Sequence, residues 1–240
     1  MTKDFIILIP SRIGSTRLKN KPLVDIDGKT LIQRVFEQSL KATSQSFIAT
    51  DSQLIYEHAK SFTDNIVMTS DTHISGTDRV FEAASSLSLN EDQLIINLQG
   101  DEPFMPVDLI NTLVDDYTNN ECDVITASHA IESNQDIVNP NCVKVLSENS
   151  YATDFMRIPS NEPLELLSRH IGIYGYSFET LKKLVALEPS EREINLKLEQ
   201  LRFLDNKYSI YVSQYRKIIQ SGIDTSDDVD AAVLYLNDQC

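Results

Sequence analysis

The stretch FIILIPSRIGSTRLKNKPL, residues Phe5–Leu23, decides the reading of the fold. Its first five residues, Phe5–Ile9, form an uninterrupted apolar run, as expected of a strand buried on both faces. The loop that follows carries Arg12, Arg17 and Lys21 within ten positions, with Ser11, Gly14, Ser15 and Thr16 among them. A loop leaving the carboxyl end of a buried strand lies where open α/β sheets bind ligands. Small residues let backbone N–H groups approach phosphate, and Arg and Lys neutralise its charge. Two readings stand: a polyphosphate cradle, or ordinary solvated surface cations. The preceding strand and the small residues favour the cradle.

That basic cluster lies in an acidic chain of 240 residues with a net charge of −15. Such a balance argues against nonspecific nucleic-acid binding, which depends on clustered Lys and Arg to displace counterions. No stretch reaches the roughly 20 apolar residues needed to cross a bilayer. The apolar run near the N-terminus is too short for a secretory leader, so the expected location is the cytoplasm, away from membranes. Cys122, Cys142 and Cys240 lack metal-like spacing and read as reduced thiols.

Outward from Phe5–Ile9, strand and helix patterns alternate. Thr30–Ala42 places Leu31, Ile32, Val35, Phe36 and Leu40 at helical spacing. Ser46–Thr50 predicts a strand, Leu54–Phe62 a helix, Asn65–Met68 a strand, Thr77–Leu87 a helix and Leu94–Leu98 a buried strand. This βαβαβ rhythm implies a mostly parallel sheet flanked by helices. Further helices are expected at Val107–Tyr117, Phe178–Leu187, Asn195–Leu204 and up to Leu236. Further strands are expected at Asp123–His129, Asn141–Leu146, Ile171–Tyr176 and Ser209–Gln214. Tyr151–Ser168 has two prolines and no period, and reads as an excursion from the sheet. Without repeats or linkers, residues 1–240 are expected to form one domain, elaborated after about residue 125.

Four other constellations carry possible chemistry. In Asn97-Leu98-Gln99-Gly100-Asp101-Glu102-Pro103, Asp101 follows a buried strand and a glycine. It reads either as a carboxylate for Mg²⁺, which takes one or two protein carboxylates beside phosphate and water, or as part of a helix-capping turn. In His73-Ile74-Ser75-Gly76-Thr77-Asp78-Arg79, the donors of Ser75, Gly76 and Thr77 suit a nucleobase edge, while Thr77 equally suits an N-cap. His73 is assigned no role. In Gly222-Ile223-Asp224-Thr225, Asp224 reads as a second metal carboxylate or as part of an exposed acidic turn. On the strand around His170, Gly172, Tyr174 and Tyr176, alternation gives one polar face suited to a sugar or simply half exposed. Glu199 and Arg202 fit a surface i,i+3 pair equally well. No nucleophilic triad order, dinucleotide fingerprint or P-loop occurs in the chain.

Taken in order, IPSRIGSTRLKNKPL, HISGTDR, NLQGDEP, RHIGIYGY, LEQLR and SGIDT resemble the 3-deoxy-manno-octulosonate cytidylyltransferase (CMP-Kdo synthetase) family, from about Ile6 to Val233. The resemblance implies an α/β fold of the nucleotidyltransferase (nucleotide-diphospho-sugar transferase) type, with a small elaboration for dimerisation and sugar binding. It implies a homodimer that uses Mg²⁺ to couple CTP to the sugar acid Kdo, releasing pyrophosphate, on the way to lipopolysaccharide or capsule. By position, Ser11, Arg12, Arg17 and Lys21 are implied to hold the triphosphate, and Ser75, Gly76 and Thr77 the cytosine. Asp101 and Asp224 are implied as the Mg²⁺ carboxylates. Gln99, Arg157, His170, Tyr174, Glu199 and Gln200 are implied to line the sugar-acid pocket, with Arg157 answering the sugar carboxylate. The implied catalytic set is Arg12, Arg17, Lys21, Asp101 and Asp224.

The chain departs from the family at three places. Lys19-Asn20 replaces Pro-Gly in the basic loop, which removes a rigid φ and a permissive one and predicts a more mobile loop, with Lys19 as an added phosphate contact. Phe155-Met156-Arg157-Ile158-Pro159-Ser160 precedes a shortened segment. Ile219-Gln220-Ser221-Gly222 replaces a Pro-Gly-Thr-Gly turn. Two alternatives accompany the resemblance: a cytidylyltransferase for a related acid (8-amino-Kdo or a nonulosonic acid), and a catalytically weak nucleotide- or carbohydrate-binding relative.

Overall fold

Strand β1 (Phe5–Ser11) is buried at every position, as its apolar run requires, and organises the first half of the chain. In the computed structural model, residues 4–15, 17–73, 75–131, 133–160 and 162–238 are described. Thr16, Ile74 and Cys240 from the sequence reading lie outside them. The chain divides into two compact units, Met1–Asn111 with Ile218–Cys240, and Thr112–Lys217. The elaboration expected after about residue 125 is therefore a unit beginning at Thr112.

In the first unit a hairpin of β2 (Asp25–Ile26) and β3 (Lys29–Thr30) precedes α1 (Leu31–Leu40). The chain continues through β4 (Ser46–Thr50), α2 (Gln53–Ala59), β5 (Ile66–Met68), α3 (Gly76–Ser86) and β6 (Leu94–Asn97). The sheet order is β5-β4-β1-β6, and every pairing in it is parallel. Leu8 lies opposite Phe47 and Asn97, and Ser11 opposite Thr50. Parallel pairing brings all four carboxyl ends to one edge, which delivers Ser11, Asp51, Thr69 and Gly100 to the same side. The apolar stripe of α1 (Leu31, Ile32, Val35, Phe36) is buried, and those side chains fall at the expected helical spacing.

The basic loop runs from β1 into a single 3-10 turn, Lys21–Leu23, preceded by Asn20 at φ 52°, ψ 36°. A left-handed residue is required there, and Asn tolerates that region better than most side chains. Asn20 thus serves where the family places glycine. Pro22 is buried and the Leu23 amide donates to the Asn20 carbonyl at 2.8 Å, so the lysine that follows Asn20 leaves a well-anchored turn.

Helix α4 (Val107–Asn119) carries the chain into the second unit. Its elements are β7 (Val124–His129), α5 (Asn134–Val138), β8 (Lys144–Glu148), β9 (Tyr151–Met156), β10 (Leu167–Ser177), α6 (Phe178–Val185), α7 (Glu191–Leu196), α8 (Gln200–Asp205) and β11 (Ile210–Tyr215). Strand order here is β10-β7-β11-β9-β8, and β8 pairs again with β10, so the ladder returns on itself. Among the described residues of this unit β7 and β11 run parallel, whereas β10 pairs antiparallel with β7 and β8, and β9 antiparallel with β11 and β8. The expectation of a mostly parallel sheet therefore holds for the first unit, and with the second the fold is mixed. Tyr151–Met156, read as part of an irregular excursion, is a strand. The two residues before it, Asn149 and Ser150, have φ of 51° and 69°, the backbone of a tight hairpin turn. The chain ends in α9 (Ser226–Asn237), which belongs to the first unit. Among the described residues no helix is long and apolar enough to cross a membrane.

Candidate active site

A cavity of about 390 Å³ opens at the carboxyl edge of the first unit's sheet. One wall is the basic loop, with Ser11, Arg12, Gly14, Arg17 and Lys21. A second holds Ser75, Gly76 and Arg79 at the start of α3, and a third holds Gln99, Gly100, Asp101 and Asp224. Of the residues expected to hold nucleotide and metal, all but Thr77 line this cavity. Thr77 is buried in α3 at 5% exposure and does not face it. Lys19 is exposed and is not among the residues that line it.

Lys21 is the hub. Its Nζ donates to Asp101 Oδ2 at 2.6 Å and to Asp224 Oδ1 at 2.9 Å, while Arg17 Nη2 meets Asp224 Oδ2 at 2.9 Å. Burial by itself lowers the Lys21 pKa, but the charges and hydrogen bonds of Asp101 and Asp224 outweigh it and the value is raised. The ammonium therefore contributes stability below its ordinary value of 10.5, lost only as pH rises through the higher folded value.

Backbone contacts bring the two aspartates together. The Ile223 amide donates to the Asp101 carbonyl at 2.8 Å, and Ile223 is buried. A Cβ on Gly222 would lie 2.8 Å from Glu102 Oε1 and 3.2 Å from the Asp101 carbonyl, so any larger residue would have to push the Glu102 side chain aside and ease the two turns slightly apart. Beyond them Thr225 and Asp228 form the capping box of α9, and Asp228 Oδ2 also accepts from the Asp224 amide at 2.9 Å. Burial raises the Asp228 carboxyl, yet the donors of Asp224 and Thr225 overcome it and hold the group below its ordinary value. Gly100 has a similar reason to be glycine: a Cβ there would stand 2.7 Å from the Pro10 carbonyl.

Among the described residues Ser11 Oγ is a buried side-chain atom with no hydrogen-bond partner. A hydroxyl withdrawn from water without a partner is costly, and a ligand oxygen in the cavity would satisfy it. The hydroxyl of Ser75 is occupied: it accepts from the Asp78 amide at 3.1 Å and donates to Asp78 Oδ2 at 2.9 Å, capping α3. What α3 presents to the cavity is its positive N-terminal end.

Arg79, to which the sequence reading assigned no site role, is 3% exposed. It donates to Thr69 Oγ1 and Asp51 Oδ2, each at 2.5 Å, and to the Ser70 carbonyl at 3.3 Å. It ties the ends of β4 and β5 to the start of α3. The legible signal was an Asp directly after a strand and an Arg one turn into a helix. His73, also in the cavity wall, pairs with Glu82, which in turn accepts from the Ser70 amide.

Gln99 lies in the first unit, where its amide donates to Asn97 Oδ1 at 3.3 Å. The other residues expected to line the sugar pocket belong to the second. His170 and Tyr174 stand on β10 with rings 5.5 Å apart, and the Phe155 ring meets His170 edge-on at 5.0 Å. The half-exposed alternation stops at Tyr174. Tyr176, expected on the same face, is 1% exposed. Burial, followed by the nearby Glu199 charge, pushes the Tyr174 phenol up. Glu199 itself accepts from Arg202 at 3.2 Å, and Arg202 is also held bidentately by Glu193 at 2.8 and 2.9 Å. Gln200 is buried beside it at the start of α8.

Arg157, expected to answer the sugar carboxylate, makes main-chain contacts. Its Nε donates to the Leu196 carbonyl at 2.7 Å, Nη1 to Pro140 at 2.9 Å and Nη2 to Lys197 at 3.1 Å. The guanidinium braces the turn that precedes Glu199. The fully buried Lys144 completes the brace, donating to the carbonyls of Asn139 and Arg157 at 2.8 and 2.7 Å.

The Thr126 hydroxyl donates its one proton to the Ile173 carbonyl at 2.8 Å, so His170 Nε2, 2.9 Å away, donates to Thr126 and Nδ1 keeps a lone pair. Burial pushes the imidazole down to about 3 from an ordinary 6.5. The unfolded chain therefore takes up a proton that the folded one refuses, and stability present at neutral pH erodes as pH falls from about 6.5 toward 3. In an NMR titration His170 is expected to show no change from pH 8 to about 4.5; a midpoint near 6.5 would contradict this environment.

A parallel α/β unit with three cations, two carboxylates and an open hydroxyl at its carboxyl edge defines a nucleotidyltransferase. Residues 6–217 match the family described as Cytidylyltransferase. The chain is 38% identical to the 3-deoxy-manno-octulosonate cytidylyltransferase of Saccharophagus degradans, over 95% of this chain and 96% of that one. It is 42% identical to that of Francisella tularensis subsp. tularensis, covering 93% and 95%. A solved CMP:2-keto-3-deoxy-manno-octonic acid synthetase complexed with CTP superposes with a TM-score of 0.90 at 32% identity, covering 98% of this chain and 99% of that one. The 4-diphosphocytidyl-2C-methyl-D-erythritol synthase of Anaerococcus prevotii, 15% identical with a TM-score of 0.62, shares the fold. The chain belongs to the 3-deoxy-manno-octulosonate cytidylyltransferase family.

Proposed function

We propose that the protein transfers CMP from CTP to the anomeric hydroxyl of Kdo, forming CMP-Kdo and releasing pyrophosphate. The observation that carries this reading is the convergence of Arg12, Arg17, Lys21 and the unpartnered Ser11 Oγ on one cavity opposite Asp101 and Asp224. Arg12, Arg17 and Lys21 take the triphosphate and stabilise charge that builds on the departing pyrophosphate. Ser11 Oγ donates to a phosphate oxygen. Ser75 and Gly76, at the positive end of α3, receive the cytosine, with Thr77 buried behind them. His170 Nδ1 accepts from a sugar hydroxyl, and Tyr174, Glu199 and Gln200 supply further donors and acceptors.

Asp101 and Asp224 fit Mg²⁺: they are hard oxygen donors already sharing one cation. Two carboxylates suit an ion that takes one or two protein carboxylates and completes its shell with phosphate and water. When bound, Mg²⁺ supplies charge neutralisation and orientation at the α-phosphate. The residues' part is to hold the triphosphate for in-line attack by the sugar hydroxyl and to exclude competing geometries.

The matched region, residues 6–217, takes in the second unit and most of the first, which supports residues 1–240 as a single catalytic domain acting in the cytoplasm for lipopolysaccharide or capsule synthesis. The exposed apolar side chains Val138, Ile158, Leu164, Leu166 and Ile194 of the second unit support a homodimer. Pyrophosphate release is the test, measured with CTP, UTP, ATP and GTP against Kdo, 8-amino-Kdo and a nonulosonic acid. Turnover confined to CTP and Kdo is expected. Preference for another acid moves the substrate assignment, and CTP binding without turnover on any acid overturns the catalytic one.

A further inference from the structure

We propose that Lys21 is a displaceable placeholder for the divalent cation: without nucleotide its ammonium occupies the carboxylates that the metal needs, and the triphosphate must draw it away before the metal binds. This rests on the assignment of Asp101 and Asp224 as the metal carboxylates. Three of their four carboxylate oxygens are engaged by cations, Asp101 Oδ2 and Asp224 Oδ1 by Lys21 and Asp224 Oδ2 by Arg17. Two positive charges thus offset two negative ones, leaving little field to attract a dication that sheds its water reluctantly.

The aspartates are the fixed partners and the lysine the movable one. Ile223 hydrogen-bonds the Asp101 backbone, and the α9 capping box holds the Asp224 amide. The Lys21 backbone is fixed by the turn at Asn20 and by buried Pro22, but its ammonium rides on a flexible four-carbon stem. The same stem lies in the cavity wall beside Ser11, where phosphate is expected. A triphosphate therefore competes for Lys21 and Arg17 and uncovers the carboxylates. Nucleotide and metal then strengthen each other's binding by the same factor.

The test is Mn²⁺ binding without nucleotide, followed by electron paramagnetic resonance. Lys21→Met is expected to bind Mn²⁺ at least about tenfold more tightly than wild type. Arg12→Met removes the same charge from the same cavity; among the described residues Arg12 makes no ion pair with either aspartate, and a change below about threefold is expected. Lys21→Arg, still able to bridge, is expected to exclude Mn²⁺ as wild type does, and Lys21→Gln provides a second neutral variant. Equal affinity in Lys21→Met and wild type, or a gain matched by Arg12→Met, overturns the placeholder. Asp101→Asn separates the two readings. If it abolishes Mn²⁺ binding in the presence of CTP while Lys21→Met shows no gain, only the placeholder fails. If the Lys21→Met gain survives Asp101→Asn undiminished, the metal assignment itself fails.

Discussion

Asp101→Asn is expected to lower kcat for pyrophosphate release by about 10³-fold or more while the protein stays folded. The substitution keeps the side-chain volume and removes the charge proposed to hold a divalent cation. The turn survives because its anchor is main chain: the Ile223 amide donates to the Asp101 carbonyl, not to the carboxylate. Lys21 also retains Asp224 as a partner at 2.9 Å. Circular dichroism and a thermal scan establish the fold, and a coupled assay for pyrophosphate gives the rate at saturating CTP and Mg²⁺. A folded variant with near wild-type turnover would remove Asp101 from the metal site.

Arg79→Met is expected to destabilise the first unit by about 3 kcal/mol, because it strands a carboxylate built around a cation. Asp51 is 16% exposed in its side chain and meets the Arg79 guanidinium at 2.5 Å, with Thr69 and Ser70 sharing the other nitrogen. Deleting the cation leaves that charge partly desolvated and unties the ends of β4 and β5 from α3. For a unit of this size the thermal midpoint should fall roughly 6–12 °C. The KM for CTP should rise about tenfold, since Ser75 and Gly76 lose their brace. Asp51→Asn in the same chain should recover part of the stability by removing the unpaired charge, without restoring KM. A midpoint within about 1 °C of wild type would show that the pair contributes nothing.

Much of the first unit was legible in advance. Phe5–Ile9 could hardly be other than a buried strand, and the helical stripe of α1 and the short runs at Ser46 and Leu94 located its neighbours. The second unit was harder. Tyr151–Met156 lacks a clean alternation because β9 lies between β8 and β11 in a ladder that returns on itself. Its only local mark was Asn149-Ser150, a pair that can take positive φ but is less telling than Asn-Gly. The burial of Tyr176 was missed for a similar reason: what covers a strand position is set by neighbouring elements, and period counting along one strand does not contain it.

The site divides along the same line. Local composition alone singled out the basic loop: three cations and small residues at a strand end stand within one stretch of chain. The residues that face that loop come from positions 80 and 203 residues away, and no spacing rule links Lys21 to Asp101 or to Asp224. Their meeting depends on parallel pairing that aligns carboxyl ends, and a glycine at 222 leaves room for two turns to touch. Arg157 shows the reverse case, a residue whose motif position suggests a ligand contact and whose three carbonyl partners make it a brace. Strand periodicity and loop composition are short-range properties, written wherever the chain is read. Which carboxylate meets which cation is a long-range property, decided only when the sheet orders its strands and the loops close over their ends.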